Sequence, residues 1–433
     1  QNKSPNLLFF AFLVILFHKN ILSFFSFTIQ TFVILQPTNS IKSMNTIHMS
    51  HIAHLKWRHW LLITLLAIVT VVRSSHSLGL AYTTKVYPVI GGLLSPLSGS
   101  VPFALGDIFI ALSIAWVLLY PVYELALRKR LAKRFIILKP RNGQYKKKLA
   151  VVARAGEYLL WVYAWFYMAW GLNYSQPDAY VRIGMRPVEA SKAKLKAFAY
   201  QYADSLNKLS EECGVKGEKS KWLREKGNED EEKVKCEESI LQGYYRIGGR
   251  GINAPFNHHP HVKTMVFTPL SSMAGVTGSM GPFFCEFTLN GDVRPHEYPA
   301  TYAHELAHFL GVANEGEANF YSYLACTASA DEAVRFSGYY SIFFHVINNV
   351  FDILGEKEGD KYLRHISPRV ILLAKGDRGY WLNKRSKLLN AAQDLMLDIY
   401  LRGNNVSGGR KSYSGVIGLI MAWEEKESAQ RPR

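Results

Sequence analysis

The stretch Tyr302-Ala-His304-Glu305-Leu-Ala-His308-Phe-Leu-Gly311, continued by Val-Ala-Asn314-Glu315-Gly-Glu317-Ala-Asn319-Phe320, decides how this chain is read. The residues around the two histidines are apolar or aromatic, with Pro299 placed to start a helix and Gly311 to end it. On a helix, residues four apart lie one turn above one another. His304 and His308 therefore face the same way, and each offers a ring nitrogen to one Zn²⁺ at about 2.0–2.1 Å. Glu305, about 100° round the helix, stands beside the coordination position that such a site leaves for water. A catalytic zinc takes a third protein ligand, and the acidic residues past the turn supply it. Glu315 shares a helix face with Asn319, whose amide oxygen is placed to accept a hydrogen bond from a ligand imidazole. Glu317, about 200° away, is the competing ligand. Asn314 falls where some zinc enzymes place a third histidine, but a neutral amide is a poor zinc ligand.

Outward from this motif the signals are weaker. Lys263 to Thr268 is β-branched and aromatic enough for a strand, Phe284 to Leu289 for another, and Gly275, Gly278 and Gly281 make a flexible segment between them. No phosphate-binding glycine signature is present. Pro187 to Leu209 carries apolar residues at helical spacing. The charged stretch 211–238 lacks that periodicity and reads as a solvated insertion. Cys213 and Cys236 stand at its ends, placed for a disulfide on the oxidising side of a membrane. Tyr339, Tyr340 and His345 follow the second helix at a distance from which one could stabilise a developing oxyanion, but aromatic residues at helical spacing are more often core, and none of the three is singled out.

The chain of 433 residues is 48% hydrophobic with a formal charge of +17. A basic excess marks a nucleic-acid binder only if it gathers on one folded face. Here residues 128–148 carry Arg128, Lys129, Arg130, Lys133, Arg134, Lys139, Arg141, Lys146, Lys147 and Lys148 without one acidic residue, between two apolar runs. Trp60 to Val72, Val101 to Leu127 and Tyr158 to Leu172 read as about three transmembrane helices, and the basic loop is then cytoplasmic. No nucleic acid is expected as a partner. Residues after Asn173 come out on the extracytoplasmic side. Residues 1–43 precede the first methionine, Met44, and are set aside as an upstream or targeting segment.

The stretch from Lys263 through Ala274-Gly-Val-Thr-Gly278 to the His304–His308 motif and Glu315-Gly-Glu-Ala-Asn-Phe-Tyr-Ser-Tyr-Leu-Ala-Cys326 resembles a bacterial family catalogued as domain of unknown function 3810 and regarded as membrane-bound zincin-like peptidases. Val101-Pro-Phe-Ala-Leu-Gly106, Trp170-Gly-Leu-Asn-Tyr-Ser175 and Gly409-Arg-Lys-Ser-Tyr-Ser414 carry the same resemblance. It implies a mainly α fold. Transmembrane helices within 44–175 precede an extracytoplasmic α+β zincin-like metallopeptidase domain over 176–433. The general gluzincin pattern carries the third zinc ligand to Glu315, and the chain departs from it at Asn319, where many gluzincins have aspartate.

The resulting expectation is a multi-pass membrane enzyme that hydrolyses a peptide or protein substrate. Zn²⁺ is held by His304, His308 and Glu315, and Glu305 is the general base. The rival expectation is a membrane scaffold that keeps the metal site without hydrolysis.

Overall fold

The apolar N-terminal runs fold as helices. In the computed structural model, which describes residues 56–124, 144–188, 191–215, 229–256, 260–387, 389, 391 and 415–430, they are α1 (Trp57–Arg73), α2 (His76–Ala81), α3 (Tyr87–Gly99), α4 (Leu105–Val122) and α5 (Gln144–Ala169). A π-helical turn, Tyr82–Val86, joins α2 to α3. The remainder comprises α6 (Ala179–Ile183), α7 (Lys192–Glu212), α8 (Glu229–Ile247), β1 (Val262–Thr264), α9 (Thr268–Ala274), β2 (Gly278–Gly281), β3 (Glu286–Leu289) and α10 (Tyr298–Phe309). It continues with α11 (Glu315–Thr327), α12 (Glu332–Ser341), α13 (Phe343–Leu354), α14 (Glu356–His365), α15 (Pro368–Lys384) and α16 (Val416–Gln430). The chain is thus mainly helical with one small sheet. Residues 1–43, most of the basic loop, the centre of the insertion and the stretch Gly409–Ser414 lie outside the described residues.

Among the described residues one helix, α4, is long and apolar enough to cross a membrane, or two spans result if the bent pair Trp57–Arg73 and His76–Gly99 counts as one. That pair turns through 108° at Ser74 and Ser75. Leu93 (66%), Leu97 (68%), Leu112 (65%) and Leu119 (63%) remain exposed on α3 and α4, so none of the described residues covers these faces. The third expected span is different. Within α5, Leu159, Val162, Phe166 and Tyr167 are buried while Trp165 is exposed, so one face of it serves the protein core.

The sheet has the order β1-β3-β2. β3 pairs in parallel with β1, Val262 opposite Phe287, and antiparallel with β2, Gly278 opposite Leu289. The strand expected over Lys263–Thr268 ends at Thr264: the Val266 amide donates to Asp107 Oδ2 (2.9 Å) instead of to a neighbouring strand, and Pro269 then opens α9. The glycine segment is ordered where flexibility was expected: its second half is β2. The expected helix over Pro187–Leu209 begins later, at Lys192, where the Ser191 hydroxyl accepts from Lys194 N.

All four cysteines are free. Cys213 caps the end of α7, whereas Cys236 lies two turns inside α8 beside Cys326, away from any loop end, so the expected Cys213–Cys236 link is not formed.

The N-terminal helices share one apolar core with the rest. Val69, Tyr87, Ile110 and Phe166 cluster with Leu306, Phe309 and Phe320. A buried ion pair fastens the sheet to the connection between α3 and α4. Lys263 Nζ lies 2.7 Å from Glu286 Oε2 and donates to the carbonyls of Ser98 (2.7 Å) and Phe103 (3.0 Å).

Candidate metal centre

α10 is buried from Pro299 to Phe309, as a helix apolar around its whole circumference must be. The last carbonyls of a helix lack partners within it. Here distant side chains supply them. Trp170 Nε1 donates to His308 O (3.0 Å), Tyr87 Oη to Phe309 O (2.6 Å), Asn253 Nδ2 to Leu310 O (2.9 Å) and Gln176 Nε2 to Gly311 O (2.7 Å). Sequence reasoning missed these four residues, although Trp170 opens one of the stretches that carried the resemblance. Gly311, at φ 97°, turns the chain out of α10. Asn314 then caps α11, its Oδ1 accepting from Glu317 N at 3.1 Å.

This turn brings Glu315, the first residue of α11, against the two histidines. His304 Nε2 lies 3.1 Å from Glu315 Oε2 and 3.1 Å from His308 Nε2, which is 3.5 Å from the same carboxylate oxygen. The opposite ring nitrogens are already engaged. His304 Nδ1 is 2.8 Å from Asn319 Oδ1, and His308 Nδ1 is 2.6 Å from the carbonyl of Val312. A carbonyl oxygen only accepts, so each Nδ1 carries the hydrogen and each Nε2 presents a lone pair. Three acceptor atoms therefore converge, and they repel one another unless a cation or a proton sits among them. A tetrahedral centre with ligand bonds of about 2.0–2.1 Å sets its ligand atoms roughly 3.3 Å apart. The donor set and its spacing fit Zn²⁺.

Glu317, the competing ligand, is turned away. Its Oε2 pairs with Arg182 Nη2 at 2.7 Å, its Oε1 accepts from Ala179 N at 2.7 Å, and both side chains are buried. Neither oxygen is left for an ion.

Glu305 is buried beside these three candidate ligands, and its Oε2 has no hydrogen-bond partner among the described residues. Burial, partly offset by His308, pushes its carboxyl up to about 8. Its place is kept by β2. A Cβ added at Gly278 would stand 2.4 Å from Glu305 Oε1 and 2.6 Å from its Cγ. Gly278→Ala is therefore expected to push the carboxylate aside and lower any Glu305-dependent rate roughly 10²-fold, the scale of a displacement of about 1 Å. Metal content by mass spectrometry should stay unchanged, and loss of the metal in this variant would show that Gly278 supports the ligands instead.

A second group, His296, Glu297 and Asp377, also gathers ligand-type atoms. Asp377 is occupied by Arg294, His296 Nε2 (2.9 Å) and the Tyr340 hydroxyl, while Trp381 Nε1 donates to both oxygens of Glu297 at 3.0 and 3.1 Å. With these donors in place the cluster is a hydrogen-bonded brace between α15 and the start of α10. It also removes Tyr340 from the oxyanion candidates, because its hydroxyl is committed to Asp377. Tyr339 packs on Tyr202 and Tyr323, whereas His345 borders a cavity shared with Asn319.

The model of the family described as protein of unknown function (DUF3810) matches residues 82–421. No curated protein and no solved structure matches the chain.

Proposed function

The chain belongs to the DUF3810 family, and since that family's description names no chemistry, we propose from the site itself that the protein is a membrane-anchored zinc metallopeptidase. The observation that carries this reading is the convergence of His304 Nε2, His308 Nε2 and the Glu315 carboxylate, with both Nδ1 hydrogens already donated elsewhere. Glu305, buried beside them with Oε2 unpartnered among the described residues, favours a hydrolytic site over a structural one, which has no use for a base at its open face.

When bound, Zn²⁺ supplies Lewis acidity that makes water a nucleophile near neutral pH and polarises a carbonyl. Glu305 takes the proton from the attacking water and passes it to the leaving amine. Asn319 and Val312 hold the two imidazoles in the required tautomer. The exposed leucines of α3 and α4 face the bilayer, the basic run 128–148 keeps its connection on the cytoplasmic side, and α5 runs back beside α4, Arg154 meeting Tyr120 and Tyr158 meeting Ser113, so that its return across the membrane puts the metal centre outside.

In protein stripped by chelation, burial would lower His308, but Glu315 pushes it up to about 9, and the imidazoles pull Glu315 down to about 2 against the effect of its own burial. Zinc must displace the His308 proton. Apparent zinc affinity of the full chain in detergent should therefore rise about tenfold per pH unit up to roughly pH 9 and level off above it. Peptide hydrolysis should vanish on chelation and return with added Zn²⁺. Affinity that stays flat between pH 6 and 8, or hydrolysis that survives chelation, would overturn the assignment.

A further inference from the structure

A cavity of about 420 Å³ lies beside the metal centre, within the range of small-ligand sites. Thr301 of α10 and Asn319, which holds His304, form one side, and Thr277, immediately before the β2 glycine that covers Glu305, forms another. Arg378 and Arg385, on and just past α15, complete the wall. The cavity thus runs from the residues that support the metal ligands to two guanidinium groups.

The acids of this cavity are already committed. Asp377 is held by Arg294, His296 and Tyr340, and Glu297 by Trp381. The two arginines are not. Among the described residues neither forms an ion pair, and Arg385 Nε is buried without a hydrogen-bond partner. The fold nevertheless fixes Arg385. Ser386 N donates to Met273 O at 2.9 Å, and the guanidinium lies against Gly275, at φ 77°, where a Cβ would come within 2.7 Å of Nε. A cation that is held in place, partly desolvated and answered only by the field of Glu297, whose carboxylate is already bound by Trp381, is poised to take an anion from outside. Arginine's planar fork matches a carboxylate in particular.

We infer that this cavity is a carboxylate-binding subsite, in which Arg385, assisted by Arg378 at the mouth, receives a carboxylate of the substrate whose scissile bond lies at the metal centre. The inference rests on the peptidase reading. The carboxylate belongs either to the free C-terminus of a peptide or to an acidic side chain near the cleaved bond.

The test uses the zinc-loaded full chain in detergent and three matched peptides: one with a free C-terminus, its C-terminal amide, and that amide with an internal Gln replaced by Glu. A kcat/KM ratio of roughly 10 to 100 in favour of one carboxylate-bearing peptide over the plain amide is expected, the size of a lost charged hydrogen bond. Which peptide gains it identifies the source. In the Arg378→Gln/Arg385→Gln variant the ratio should fall to about one, and Arg385→Lys, which keeps the charge without the fork, should retain part of it. Equal rates on all three peptides, or a preference that persists in the double variant, would overturn the subsite. Should the parent cleave none of them, the peptidase reading fails separately. Calorimetric binding of the free-acid peptide to zinc-loaded Glu305→Gln protein then decides the subsite: Arg-dependent discrimination against the amide upholds it, and equal binding of acid and amide refutes it.

Discussion

Glu305→Gln is expected to retain zinc near one ion per chain while peptide hydrolysis falls by roughly 10²–10⁴-fold, the range for a lost general base. The substitution keeps the size of the side chain beside Gly278 but removes its ability to take a proton. Glu305 is not one of the converging ligands, so its loss should leave the metal in place. His304→Ala, His308→Ala and Glu315→Ala should each behave in the opposite way, because each removes one of three atoms that stand 3.1–3.5 Å apart and a protein site left with two ligands holds zinc poorly. Metal content by mass spectrometry and rate on a peptide mixture separate the two classes. A Glu305→Gln protein that cleaves as fast as the parent, or a parent that takes up no divalent ion, would end the hydrolytic reading.

Glu317→Ala should cost stability without touching the metal. The Arg182–Glu317 pair is buried, its side chains 3% and 8% exposed. Truncating one partner leaves a buried guanidinium charge unmatched, which typically costs about 3–5 kcal/mol. Replacing both, as in Arg182→Met/Glu317→Leu, should recover part of the loss, since apolar groups of similar volume substitute for a buried pair while Ala179 N and the carbonyls of Pro177 and Gly251 lose their partners. Chemical unfolding of the full chain measures the first effect, and zinc per folded chain measures the second. Zinc released by Glu317→Ala and kept by Glu315→Ala would exchange the roles of the two glutamates.

These two glutamates mark where the sequence stops being informative. They are two residues apart in an acidic, helix-starting segment, and helical geometry says only that they face different ways. Their roles are set by Arg182, 135 positions from Glu317, and by the two histidines, carried against Glu315 by the turn at Gly311. The glycine segment is a similar case. Composition alone gave flexibility, but Gly278 is a strand residue without a side chain because the Glu305 carboxylate occupies that space. The oxyanion candidates failed to sort for the same reason: the Tyr340 hydroxyl is spent on Asp377, which lies on a helix not assigned from the sequence.

What the sequence determined by itself was local. The spacing of His304, Glu305 and His308, the bounds of the helix that carries them with Gly311 at its end, and the apolar run of α4 all follow from a repeat of about 3.6 residues and from side-chain type. Tertiary structure alone decided which donors close the end of α10, with Tyr87 reaching Phe309 across 222 positions. It also decided which aromatic helix turns inward and which arginines are left facing a cavity. Such pairings are fixed by which surfaces can be buried together and which buried polar groups must then find partners, and no window of sequence contains both members of the pair.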